Sequence, residues 1–171
     1  MDKIIQIIDT VLAWILIILM GILVIDVTWQ VIARFLLGSA SSFTEEVARF
    51  LLIWIGLLGA AYAYRKDLHL AFDYFSMKVH GPRKKMLGIF IHSLVAVFSF
   101  LVLVIGGGYL VNLTWELNQV SAALQIRLAY VYSVLPLSGF LIVLYSAVFI
   151  RDIIRGDENS DVPDPKPSES I

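Results

Sequence analysis

Apolar positions fall into four long runs, at residues 11–37, 47–64, 86–113 and 128–150, separated by polar stretches. About 20 helical residues cross roughly 30 Å of hydrocarbon, so each run is long enough for one span. Barrel strands would be shorter and would alternate apolar with polar residues, which these runs do not. A helix satisfies its own backbone hydrogen bonds in lipid. The pattern therefore predicts an all-α integral membrane protein with four transmembrane helices.

Between the second and third runs the period changes. Lys66, His69, Asp73, Ser76 and His80 recur at helical spacing, and Leu68, Ala71, Phe72, Phe75 and Val79 form the opposite face, with Asp67 and Lys78 off the polar stripe. This predicts an amphipathic helix over about 66–80, lying in the membrane interface with phospholipids as partners. Arg65, Arg83, Lys84 and Lys85 stand beside it, near lipid phosphates. Residues 156–171 carry three prolines and five acids with almost nothing apolar, and are expected to form a disordered cytoplasmic tail behind a membrane domain of residues 1–155.

Charge placement adds an orientation. Of the 13 lysines and arginines, Arg34, Arg49 and Arg127 fall on one side of the four spans and the other ten on the opposite side. The positive-inside rule then puts both termini in the cytoplasm and the start of the second span outside. The apolar N-terminal run is too long for a signal peptide and has no small-residue cleavage site, so it reads as a retained anchor.

Composition agrees with the bilayer as solvent. Of 171 residues, 59% are hydrophobic and 16% charged, with a mean hydropathy of +0.84, well above a soluble domain's apolar share. A net charge of -1 gives no basic face for nucleic acid. With no cysteine, disulfides, thiolate chemistry and cysteine-ligated metals are excluded.

Three clusters are candidates for chemistry. At the start of the second run, Ser42 with Glu45 three residues later fits a capping box, and Thr44 is an alternative cap. Glu45 and Glu46 favour the positive end of the helix dipole, and Arg49 can pair with either on one face. The set reads as a capped, self-neutralised helix entrance, compatible with docking an external partner. No nucleophile, metal ligand set or pocket accompanies it, which argues against a hydrolytic pair.

In the first run, Asp26, Gln30 and Arg34 share one face. A carboxylate in a span is expensive and by default suggests function. Two accounts stay open at this point: a polar stripe packed against protein, or an ion- or proton-handling position.

The histidines are a third possibility. Haem ligation between helices needs two histidines at similar depth, but only His92 lies in a span, while His69 and His80 sit in the inner loop. Gly106, Gly107 and Gly108 suit close packing or bending in the third span. Pro136 is expected to kink the fourth. Trp115, Tyr130 and Tyr132 suit the outer interface. Neither a nucleotide loop nor an inverted repeat of broken helices is present, so the chain carries no sign of a complete transporter.

The stretch "FTEEVARFLLIWIGLLGAAYAYRKDLHLAFD", residues 43–73, resembles the small membrane subunit of tripartite ATP-independent periplasmic (TRAP) transporters. The likeness lies in Glu45, Glu46, Ala48, Arg49, Gly59, Ala60, Arg65, His69 and Asp73, taken in order. Arg34 and the stretch "SAALQIRLAYVYSVLPLSGF", residues 121–140, extend it. The resemblance implies a bacterial inner-membrane subunit, not an enzyme and without a cofactor of its own. Its implied partners are a large multi-span membrane subunit, where sodium is expected, and a periplasmic substrate-binding protein. Scaffold and docking surface for sodium-driven uptake of an organic acid (dicarboxylate, sialic acid or sugar acid) would be its role. Glu45, Glu46, Arg49, Glu116 and Arg127 are then candidates for contacts with the periplasmic protein. The rival readings are a self-sufficient exporter coupling Asp26 to protons and a membrane anchor for a redox enzyme.

Overall fold

The computed structural model describes residues 2–36, 42–76 and 82–155, with side chains throughout except at residues 2, 4 and 67–84. Helix α1 runs Asp2–Leu36 and α2 runs Ser42–Ser76. Helix α3, Pro82–Phe98, continues through a π-helical segment, Ser99–Gly106, into α4, Gly107–Glu116. A connector leads to the short α5, Leu128–Tyr132, and then to α6, Val134–Arg155. Apart from one isolated antiparallel bridge between Val120 and Arg127, the described elements are all helical.

Among the described residues, four stretches are long and apolar enough to cross a membrane: Ile5–Leu36, Ser42–Lys66, Lys85–Glu116 and Leu128–Arg155. They coincide with the four apolar runs and reach past them, most at Ile5, because Ile5 and Leu12 on the first turns of α1 are both core residues. Helical backbone covers positions 66–76 of the expected amphipathic helix as an unbroken continuation of α2. The side chains that define its two faces lie outside the described residues, among them His69, Phe72, Asp73, Phe75, Arg83 and Lys84. So does the expected disordered tail.

The core has two centres. Leu12 of α1, Leu58 of α2 and Val134 of α6 meet in the middle of the bundle, with Leu16, Leu19, Trp54 and Leu135 packed around them. Nearer the chain start, Ile5 packs with Tyr145 and Val148 of α6. Helix α6 therefore stands centrally, against α2 on one side and α3 with its π segment on the other, while α1 flanks the bundle on α2.

Small residues permit the closest approach. A Cβ at Gly107 would lie 2.8 Å from the Leu135 Cβ and 3.1 Å from the Pro136 Cδ. One at Gly139 would lie 2.6 Å from the Leu103 Cβ. In lipid, where burial alone gives helices little reason to associate, such backbone proximity is the main source of packing attraction. Of the glycine triplet, Gly107 alone makes this close packing; added Cβ atoms at Gly106 and Gly108 would meet nothing nearer than 3.7 Å.

The interruption expected from Pro136 is present in the fourth span, about one turn before the proline itself. The fourth span breaks at Ser133, between α5 and α6. Proline has no N–H for the carbonyl four residues back, and its ring clashes with that carbonyl. Within the broken turn the Ser133 hydroxyl donates to the Tyr130 carbonyl at 2.7 Å.

Candidate functional site

Among the described residues, polar side chains gather in three places, one at each end of the bundle and one between. At the first end, α2 begins at Ser42, so the residue preceding its first turn lies outside the described residues. Arg49 donates to Glu45 at 3.4 Å across an exposed helix face. Glu46 points elsewhere. Its Oε1 accepts the Ala122 N–H at 3.2 Å, and its Oε2 accepts the N–H groups of Ala123 at 2.8 Å and Leu124 at 2.9 Å. Three successive backbone donors around one carboxylate form an anion-binding nest. Glu46 is thus a clamp that ties the connector between α4 and α5 onto the start of α2.

The connector is built to present those donors. Ser121 N–H bonds to the Ile126 carbonyl at 2.8 Å, and Leu128 N–H to the Gln119 carbonyl at 3.0 Å, closing a narrow loop. Asn118 and Gln125 adopt the left-handed conformation at its two bends, with φ of 47° and 56°. Asparagine accepts this conformation readily, whereas for glutamine it costs of order 1 kcal/mol. The Gln125 side-chain amide compensates by donating to the Ala122 carbonyl at 3.1 Å. Ser121 is buried, and its hydroxyl also accepts from the Leu124 N–H.

Beside the loop, the Arg127 guanidinium lies 4.6 Å from the Trp115 ring centroid, and Trp115 meets Tyr130 edge to face at 5.8 Å. Glu116 accepts the Asn112 amide at 3.0 Å. Of the residues read as a docking set, Glu46 and Arg127 are tied to the connector and its aromatic neighbours, the exposed Glu116 accepts from Asn112, and Thr44 is buried, while Glu45 and Arg49 pair with each other on an exposed face of α2 that Ser42 begins. The spacing argument had Arg49 as a partner for either glutamate. The tertiary fold separates them, because the connector reaches Glu46 and not Glu45.

The second place is the Asp26 face. Gln30 Nε2 donates to Asp26 Oδ2 at 2.8 Å and to the Thr44 carbonyl at 3.0 Å, stitching α1 to α2. The hydrogen-bonded polar stripe is therefore present for Asp26 and Gln30. Arg34, one turn further on, is exposed in the last turn of α1.

The third lies at the opposite end and was not legible from spacing. Asp9 of α1 accepts from Tyr145 Oη of α6 at 2.7 Å on Oδ1, and from Arg65 Nε of α2 at 3.4 Å on Oδ2. Next to it, the Tyr64 hydroxyl contacts Ser146 Oγ at 2.8 Å and His92 Nδ1 at 3.0 Å. His92 stacks on Phe149 with centroids 4.9 Å apart, and Arg65 lies 5.2 Å from the same ring. Residues from α1, α2, α3 and α6 thus share one polar and aromatic cluster. His92, considered above for haem, is buried in this cluster. Lys66 reaches to 6.0 Å from the Tyr62 ring, and Lys85 is exposed. Among the described residues, no three histidines, aspartates or glutamates converge as a metal site.

Comparison with known proteins supplies the rest. The chain is 34% identical over 91 residues to the sialic acid TRAP transporter small permease protein of Vibrio cholerae, covering 53% of this chain and 51% of that one. It is 31% identical over 132 residues to the ectoine TRAP transporter small permease protein of Halomonas elongata, covering 75% and 66%. A 72-residue stretch, 42% of this chain, is 31% identical to 12% of the sialic acid TRAP transporter permease protein of Haemophilus influenzae. The chain thus matches about half to two thirds of the length of its small-permease relatives. Residues 23–156, from the middle of α1 to the end of α6, match the family of tripartite ATP-independent periplasmic transporters, DctQ component. That span includes Asp26, the Glu46 clamp and the whole connector, and it places the protein among transporter components, not enzymes: the chain belongs to the DctQ family.

Proposed function

We propose that this chain is the small membrane subunit of a TRAP transporter in a bacterial inner membrane. In this reading it supplies scaffold and outward docking surface while a large permease carries substrate and sodium through uptake of an organic acid. The Glu46 clamp is the observation that carries the docking role. A loop locked to a helix end by three hydrogen bonds is a preformed surface, and a preformed surface loses little conformational entropy when a partner lands on it. The permease of Haemophilus influenzae supports the scaffold role, since a stretch like this chain is a small part of that long polypeptide. Relatives named for sialic acid and for ectoine fit a subunit that does not itself select the substrate. In this reading the Glu46 end faces the periplasm, which the lysine and arginine placement supports, and the continuation of α2 past Lys66 lies toward phospholipid headgroups.

Reconstitution is the direct test. Liposomes holding this chain, its large permease and the periplasmic binding protein are expected to take up the organic acid under a sodium gradient. Liposomes lacking the chain are expected to fail. Uptake by this chain alone would show a self-sufficient carrier and sink the proposal.

A further inference from the structure

Asp26 raises a question that the bundle does not answer by itself. It sits ten residues from the end of α1, about 15 Å along the helix axis, well within the Ile5–Leu36 span. Its Oδ2 is held by Gln30, whose amide is shared with the Thr44 carbonyl. The carboxylate opens into a cleft of about 360 Å³ whose remaining lining is apolar: Ile22, Ile25 and Trp29 of α1 and Val47 of α2. Ile25 and Trp29 are 72% and 53% exposed. A carboxylate facing an apolar opening at membrane depth calls for a donor from outside the bundle.

We infer that this cleft seats a transmembrane helix of the large permease, and that this helix presents a hydrogen-bond donor to Asp26. The inference rests on the proposed assembly with that permease. An acyl chain would fill the apolar walls but offers no donor. A second copy packed about a two-fold axis along the bundle would set Asp26 against Asp26, placing like charges in contact. The basic side chain on the same face, Arg34, is eight residues away, about 12 Å along the axis, too far to serve the Asp26 of a parallel copy. Charge complementarity therefore selects a different polypeptide with a donor at this depth.

The test uses the full chain co-expressed with its permease. A photo-cross-linking benzoylphenylalanine at Ile25 is expected to capture the permease. The same group at Val24, which is 58% exposed on another flank of α1, is expected to capture far less. Asp26→Asn keeps an acceptor for Gln30, so the α1–α2 contact survives, and permease recovery in detergent should fall about three- to fifteenfold. Asp26→Leu should lower it at least as far. Full recovery with both variants would overturn the inference, as would Ile25 cross-links confined to lipid or to a second copy. Failure of the unmodified chain to recover any permease would instead overturn the proposed assembly, and the seat with it.

Discussion

Glu46 accepts the Leu124 backbone N–H at 2.9 Å across 78 positions of chain, joining the second span to the connector before the fourth. Its neighbour Glu45 makes only a 3.4 Å pair with Arg49, both side chains about two-thirds exposed. The two carboxylates therefore respond differently to removal. Glu46→Ala is expected to speed hydrogen exchange at the amides of Ala123 and Leu124 and, on the proposed docking role, to weaken coupling to the periplasmic protein. Glu45→Ala should leave both unchanged and cost about 0.5 kcal/mol or less. Equal effects from the two variants would show that Glu46 is not a clamp.

Packing at the glycines makes a second contrast. Gly139→Ala places a methyl group 2.6 Å from the Leu103 Cβ, and Gly107→Ala one 2.8 Å from the Leu135 Cβ. Each is expected to destabilise the bundle by about 1–3 kcal/mol, the usual range for overpacking. Gly108→Ala meets nothing within 4 Å and should be neutral or slightly stabilising. Thermal unfolding of the three variants in one detergent gives the ranking.

The cluster at the other end should behave as a coupled unit. Tyr145→Phe removes the 2.7 Å hydrogen bond to Asp9 and is expected to cost about 1.5–3 kcal/mol, the range for a bond to a charged group. Asp9→Ala should cost more, because it leaves both Arg65 and Tyr145 without their shared acceptor. The double variant should be less unstable than the sum of the two, which a double-mutant cycle reads directly.

Arg127 tests the aromatic side of the proposed docking surface. Arg127→Lys keeps the charge but loses the planar stacking over Trp115. A loss of about 0.5–1 kcal/mol is expected, with a change in tryptophan fluorescence. An unaltered spectrum would show that the stack does not persist in the membrane.

Periodicity carried much of the architecture because it is a local property. Four apolar runs, the break associated with Pro136 and the close approach at Gly107 all follow from residue type and near spacing. The π-helical segment from Ser99 to Gly106 left no mark in the pattern, since its hydrophobic residues would suit an ordinary helix equally well. Gly139 was missed because it stands outside the glycine triplet, and only the path of the facing π segment makes it a contact point.

Asp26 with Gln30, and Glu45 with Arg49, are partners four residues apart that helical spacing by itself put on one face. Asp9 with Arg65 and Tyr145, His92 with Tyr64, and Glu46 with the connector pair across 28 to 136 positions of chain. Those pairings follow from the helices' order, tilt and rotation around α6, which side-chain packing decides. The sequence by itself determined that the bilayer is the solvent, that the chain is helical and which polar residues stand where lipid would penalise them. Only the tertiary structure decided which of them meet, because an ion pair or hydrogen bond between spans depends on how two helices face each other and not on how far apart their residues are in the chain.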